Sequence, residues 1–316
     1  MKNVKSFVIS VITTLLTLAL IFTVLHFMCL TDFDIKSKRE QAEKSVVTVL
    51  SGFDSEKGIL TDDYVMGSGF AYDKTKIVTN AHNIKSDNIN ILTYNNKIIP
   101  ASVIAKDNVN DIAILKLDIE LPHFEFGDIK KCNKGDLVYN ISTPLSVYLK
   151  NSYSQGMITN VDVSGLSNQK LLQTDIAVSP GCSGSPLFNE KFQVIGMLSF
   201  KSTEFGSDRL GFAIPCDLLI ERIKKLEGGG ESLDLKISFQ SDIYQKYGFP
   251  SNGITIENIA EDSKAYSKLY KNDVIVEING DKIENNTMYY ETIRKYENEK
   301  MIFKIIRDGK QINIEI

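Results

Sequence analysis

Between Ser45 and about Pro215 the chain is written in short β-type runs broken by turn residues, and this rhythm constrains the fold more than any other feature. Ser45-Val46-Val47-Thr48-Val49-Leu50, Lys76-Ile77-Val78-Thr79, Ile112-Ala113-Ile114-Leu115-Lys116-Leu117 and Gln193-Val194-Ile195-Gly196-Met197 are examples. Such runs are too short for stable helices and rich in β-branched residues. Many strands at this spacing predict an antiparallel sandwich or barrel. Asp217 to Leu226 reads differently: Leu218, Leu219, Ile223 and Leu226 share one helical face. Gly228-Gly229-Gly230 then stops the helix and reads as a flexible joint at a domain boundary. Residues 231–316 predict a compact β/α module. Its strands are Gly253–Ile259, Asp273–Ile278, Ile302–Ile306 and Ile312–Ile314; its helices are Glu261–Tyr270 and Met288–Tyr296. Asn279-Gly280 supplies a hairpin turn.

The N-terminus carries a second constraint. Phe7 to Leu30 holds no Asp, Glu, Lys or Arg. A helix rising ~1.5 Å per residue crosses a bilayer core in ~20 residues, so this stretch predicts one transmembrane helix. A cleaved signal peptide is the alternative. It calls for an apolar region of ~7–15 residues and a small-x-small cleavage site. Leu25-His26-Phe27-Met28 offers no such site, and Met28 is a bulky neighbour for lipidation at Cys29. Lys2 and Lys5 precede the run, while Lys36, Lys38, Arg39 and Lys44 follow it, so charge alone does not fix orientation. The expected layout is a cytoplasmic tail over 1–6, a span over 7–30 and a polar juxtamembrane stem over 31–44. A strand-rich domain over 45–227, the joint over 228–230 and the β/α module over 231–316 lie outside.

Composition removes several classes. The 36 basic and 40 acidic side chains leave a net charge of −4, so no basic surplus points to nucleic acid. Three histidines leave little room for a multi-histidine metal centre, and no two of the four cysteines form a C-x-x-C pair. Neither a metal nor an organic cofactor is expected.

Chemistry concentrates in Gly181-Cys182-Ser183-Gly184-Ser185-Pro186-Leu187. A serine hydroxyl becomes a useful nucleophile only beside a base, and the oxyanion it creates needs N–H donors aimed at it. A glycine-flanked serine in a tight turn supplies both exposure and donors, although ordinary turns produce such strings too. The string is not the G-x-S-x-G elbow, since Ser185 takes the place of the second glycine. Of the three histidines, His26 lies in the apolar run and His123 in the Pro-containing Leu121-Pro122-His123-Phe124. His82 follows the run Lys76–Thr79 and is placed to face a cleft. Asp111 leads straight into an apolar run, where a carboxylate is costly unless it has a hydrogen-bond partner. Alone, each has an ordinary reading as a turn, surface or capping residue. Together they stand in the order His82, Asp111, Ser183, the chain order of chymotrypsin-type proteases.

Gly67-Ser68-Gly69-Phe70, Val78-Thr79-Asn80-Ala81-His82, Asn110–Lys116, Thr174-Asp175-Ile176-Ala177, Pro180–Gly184 and Gly211-Phe212-Ala213-Ile214-Pro215 together resemble the HtrA (Deg) family of trypsin-fold serine proteases. The last 85 or so residues look like the PDZ domain that follows the protease in that family. The resemblance implies a mainly β fold: a chymotrypsin-type double antiparallel β-barrel with a C-terminal PDZ-like β/α domain behind a transmembrane helix. It implies Ser183 as nucleophile, His82 as general base and acid, and Asp111 as the group orienting His82. The N–H groups of Gly181, Cys182 and Ser183 would form the oxyanion hole. Family members usually carry Asn before the serine and two glycines after it, so Cys182 and Ser185 are departures. No Asp precedes Ser183, and no zymogen switch is implied. Ala177 would floor the specificity pocket, lined by Met197, Leu198, Ser199 and Phe200, favouring a small or medium apolar residue before the cleaved bond.

The same resemblance implies unfolded or damaged proteins as substrates, a homotrimer, and a resting inactive arrangement of the loops 146–153 and 162–170. The PDZ-like module would capture C-terminal peptides through Asp234-Leu235-Lys236-Ile237, a stretch without the family's usual glycine. Two rivals stand beside this reading. One is a catalytically silent protease fold serving as a scaffold. The other is an intramembrane regulatory enzyme, which would need several spans holding ionisable residues, where this chain has one span with only His26.

Overall fold

A computed structural model describes residues 2–164, 168–201, 210–230, 233–240 and 251–316; for residues 2–10, 26–35, 200 and 201 only the backbone is described. Twelve strands form two closed antiparallel barrels, in the orders β1-β2-β3-β6-β5-β4 and β10-β11-β12-β9-β8-β7. The first comprises β1 Val46–Asp54, β2 Ile59–Asp73, β3 Lys76–Thr79, β4 Ile89–Leu92, β5 Ile98–Asp107 and β6 Ile112–Lys116. The second comprises β7 Leu137–Ser142, β8 Ser152–Val163, β9 Leu171–Thr174, β10 Pro186–Phe188, β11 Val194–Lys201 and β12 Gly211–Pro215. Each barrel closes by a non-sequential pair, with Val49 opposite Ile91 in the first and Leu187 opposite Asn140 in the second. This is the chymotrypsin-like double barrel expected from the sequence.

Side-chain alternation explains why the runs read as nearly continuous apolar strings. On β6, Ala113 and Leu115 point into the first barrel, while Ile112 and Ile114 point out into a second core shared between the barrels. On β3, Ile77 goes inward and Val78 outward. The shared core adds Phe70, Phe188 and Phe212, and helix α2 (Cys216–Glu227) lays Leu219, Ile223 and Leu226 against it. Strands buried on both faces need apolar residues at every position.

The three glycines after α2 are not a loose joint. The N–H groups of Gly228, Gly229 and Gly230 donate to the carbonyls of Lys224, Leu226 and Lys225, closing the helix end, and Gly229 takes φ +76°. Beyond them a separate sheet runs β13 (Ile237–Phe239), β14 (Ile254–Ile259), β15 (Val274–Ile278), β17 (Ile302–Arg307) and β18 (Lys310–Glu315). The short β16 (Asp281–Lys282) pairs with β15. Helix α3 (Asn286–Lys295) is capped by Asn285, whose Oδ1 accepts from Met288 N–H at 2.9 Å. The helix expected over Glu261–Tyr270 is instead a series of turns. Ser267 sits at φ +68°, which interrupts any continuous helix there.

Residues Lys2–Ser45 form one helix, α1, so the stem expected over 31–44 is helical and continuous with what precedes it. Ala42 is buried at its end, and the Arg39 guanidinium lies 5.8 Å from the centre of the Tyr153 ring on β8. Among the described residues no helix is long and apolar enough to cross a membrane. The expected span over 7–30 falls partly on residues whose side chains are outside the description.

Leu219 is fully buried where α2 meets both barrels. Leu219→Ala is expected to lower stability by about 2–5 kcal/mol, through lost burial and the cavity left behind. A urea titration would report it as a lower midpoint with an unchanged slope.

Candidate active site

The two barrels meet along β2 of the first and the turn 179–185 of the second. Ser68 on β2 reaches across twice. Its N–H donates to Ser183 O at 2.8 Å, and its Oγ donates to Gly181 O at 2.7 Å. Asn83 Nδ2 adds a bond to Ser183 O at 3.0 Å. A side chain at Gly67 would strike Asn83, its Cβ falling 2.3 Å from the amide. On the turn itself Gly184, at φ +89°, permits the close approach to β2, since a Cβ there would lie 2.1 Å from Ser68 O.

His82 stands just past β3, its side chain 44% exposed. Its Nδ1 lies 2.8 Å from Asp111 Oδ2 and 3.0 Å from Oδ1, and its backbone N–H donates to Oδ1 at 3.0 Å. Asp111 takes φ +55°, a left-handed conformation that Asp and Asn tolerate better than most residues. Asn80 Nδ2 holds its carbonyl at 2.9 Å, and Ser199 Oγ donates to its Oδ2 at 2.9 Å. With backbone and carboxylate both held, Asp111 keeps the imidazole in one orientation.

Ser183 Oγ donates to Ser199 O at 2.7 Å. Among the described residues no hydrogen bond joins it to the far ring nitrogen of His82. Ser199 therefore touches both partners, its carbonyl holding the Ser183 hydroxyl and its own hydroxyl holding Asp111.

Of the three donors expected at the turn, Cys182 drops out: its N–H already donates to Ser179 O at 3.0 Å. Among the described residues the N–H groups of Gly181 and Ser183 have no partner. Leu145 N–H holds Pro180 O at 2.7 Å, and in a trans peptide this turns the Gly181 N–H the opposite way. Gly181 takes φ +93°, and a Cβ there would lie 2.2 Å from Thr143 O. Only glycine fits.

Ser185 gains a role that the sequence did not suggest. It is fully buried, its Oγ donating to Cys182 O at 2.6 Å and accepting from Asn140 Nδ2 at 2.7 Å. The hydroxyl closes the turn instead of distorting it. The Cys182 side chain is buried beneath, accepting from Ser142 Oγ at 3.4 Å.

The pocket residues divide. Ala177 is exposed beside the turn and Ser199 backs the site as described. Met197 and Leu198 do not line a cleft: both are completely buried in the hydrophobic cores, because β11 is covered on both faces. The Phe200 side chain lies outside the described residues. In the C-terminal module, Leu235 and Ile237 are core residues. Lys236, at φ +49°, gives its N–H to Asp234 Oδ1 at 2.7 Å, and its ammonium pairs with Asp262. The carboxylate of Asp234 thus already occupies that backbone donor. The described cysteines, Cys132, Cys182 and Cys216, are all unbridged. Burial pushes the Cys216 thiol up to about 12, which makes it unreactive.

The two barrels and the His82–Asp111 pair beside Ser183 are arranged as in the trypsin type, and the comparisons agree. A family model described as a trypsin-like peptidase domain matches residues 67–197. A "Serine protease HtrA-like" of Staphylococcus epidermidis is 30% identical over 313 residues, covering 88% of this chain and 54% of that protein. A "Serine protease Do-like HtrA" of Lactobacillus helveticus is 28% identical over 324 residues, covering 89% and 77%. The solved structure "HtrA-type protease AlgW with decapeptide" matches with TM-score 0.65 at 21% identity, covering 89% of this chain and 97% of that one. A serine endoprotease from Yersinia pestis matches with TM-score 0.60 at 25% identity, covering 88% and 96%. In sequence and in fold the chain is similar to HtrA-type serine proteases. It spans about half the length of several of the curated relatives it matches.

Gly181→Ala is expected to destroy the donor geometry at the turn. Losing one oxyanion donor costs about 10²–10³ in turnover. The rate of Ser183 labelling by a fluorophosphonate, compared with parent, checks it.

Proposed function

We propose that the chain is a serine endopeptidase working by acyl transfer, with Ser183 as nucleophile, His82 as general base and then acid, and Asp111 orienting His82. The observation that carries the reading is the His82–Asp111 pair at 2.8 Å with Ser199 bridging Asp111 to Ser183. Rotation of the Ser183 side chain away from the Ser199 carbonyl would turn its hydroxyl toward the exposed imidazole. The imidazole would take the proton as Oγ attacks the peptide carbonyl, and the N–H groups of Gly181 and Ser183 would receive the oxyanion. His82 would then give the proton to the leaving amine.

Unfolded or damaged proteins are the proposed substrates, on the family relationship. The exposed, uncharged Ala177 supports a small or medium apolar residue before the cleaved bond. The apolar run 7–30 supports a single-pass anchor with the barrels outside the cytoplasmic membrane. The exposed Leu15, Leu16, Leu18, Leu20, Ile21 and Phe22 on α1 suit a lipid environment better than water. A homotrimer and peptide capture by the C-terminal module complete the proposal. Peptide capture draws its support from the similarly folded AlgW protease, whose structure was solved with a decapeptide. An incoming carboxylate would have to displace Asp234. A silent scaffold is the second reading, favoured by the Ser183 hydroxyl being held on a carbonyl instead of the imidazole.

The full chain in detergent should degrade casein, and Ser183→Ala and His82→Ala should each lose about 10³-fold or more of the rate. Failure of Ser183 to take a fluorophosphonate label would favour the scaffold. Among short peptides, one with Val or Ala before the scissile bond should be cut about 10-fold or more faster than one with Arg, read as kcat/KM.

A further inference from the structure

Arg294 belongs to α3 of the C-terminal module, yet it makes hydrogen bonds in the protease domain. Its Nη1 donates to Asn110 Oδ1 at 2.8 Å and to Asn168 O at 3.1 Å. Asn110 is completely buried and directly precedes Asp111. The turn it belongs to is densely tied. Asp107 accepts from Asn110 N–H at 2.9 Å and from its Nδ2 at 2.7 Å. Gln169 Nε2 donates to Asn110 O at 3.2 Å, and Asn168 Nδ2 donates to Val109 O at 3.2 Å. Residues 168–169 therefore lie as a strap across 109–110, and the guanidinium pins strap and turn together.

This placement matters because Asp111 holds a left-handed backbone. Such a conformation is strained and persists only where its surroundings over-determine it. A charge-assisted bond to the buried amide oxygen of Asn110 is among the strongest of these restraints. Without it, Asn110 loses a charged donor and the Asp107–Asp111 turn gains freedom to move. The carboxylate facing His82 would move with it.

We infer that Arg294 is a positioning residue for the proteolytic chemistry: docking of the C-terminal helix holds the turn that aims Asp111 at His82. The inference rests on the triad reading above. A built-in control exists. Glu297 also joins the module to α2, through Lys225 and through Arg222 at 3.8 Å, but among the described residues it has no hydrogen bond or ion pair with the Asp107–Asp111 turn. Glu297→Gln therefore weakens the docking while leaving the Arg294 donor in place.

The test compares the full chain in detergent with Arg294→Met, Arg294→Lys and Glu297→Gln. Casein cleavage gives kcat and KM, and fluorophosphonate labelling gives the reactivity of Ser183. A small displacement of a catalytic group costs up to about 100-fold. Arg294→Met is thus expected to lose about 10- to 100-fold in kcat and in labelling rate, with KM within about twofold. Arg294→Lys keeps a charged donor and should recover to within about threefold of parent. Glu297→Gln should stay within about twofold. The inference is overturned if Arg294→Met retains parental kcat, if its loss lies in KM alone, or if Glu297→Gln falls as far. Should Arg294→Met not fold by circular dichroism, Arg294→Gln replaces it under the same criteria. If the parent itself does not label at Ser183, the triad reading fails, an outcome distinct from all of these.

Discussion

One residue of the first barrel, Ser68, fixes the serine turn of the second. Its amide and its hydroxyl hold Ser183 O and Gly181 O across the seam between barrels. These bonds set the distance between a histidine and aspartate on one barrel and a serine on the other. The shared core of Phe70, Ile114, Phe188, Phe212 and Leu219 supplies the bulk attraction but no register. Burial is non-directional, whereas hydrogen bonds are angular, so the seam needs both. Within the first barrel, Thr79 Oγ1 on β3 holds Ser68 in place, donating to its carbonyl at 2.6 Å.

Much of this is legible in the residue pattern. Short β-branched runs announce the barrels, because strands covered on both faces cannot hide their pattern. The six ordered motifs bring His82, Asp111 and Ser183 forward. What stays illegible depends on three-dimensional neighbours. Ser185 reads as a disturbance until Asn140, 45 residues earlier, is seen bonded to its hydroxyl. The Cys182 amide reads as available until Ser179 is seen accepting it. Met197 and Leu198 are expected to line a pocket, although the apolar residues around them already signal a strand covered on both sides.

The C-terminal module shows a similar division. Asn279-Gly280 and Asp308-Gly309 are readable as turns because their positive φ angles follow from residue type. Glu261–Tyr270 has helical composition but forms turns around Ser267. The glycines 228–230 carry no sign that they fold back on the last carbonyls of α2. As a result α2 belongs to both halves. Glu227 at its end accepts from Tyr72 Oη at 3.0 Å, and Lys225 pairs with Glu297 of the module.

Ser185 has a consequence for the entropy of the polypeptide before it folds. A serine in place of a glycine visits fewer backbone conformations when disordered, so less freedom is lost when the turn forms. Its φ is not positive, so the added Cβ brings no backbone penalty. The hinge capacity that a second glycine would supply is given up in exchange. The turn is then steadied from outside by Leu145, whose amide grips Pro180.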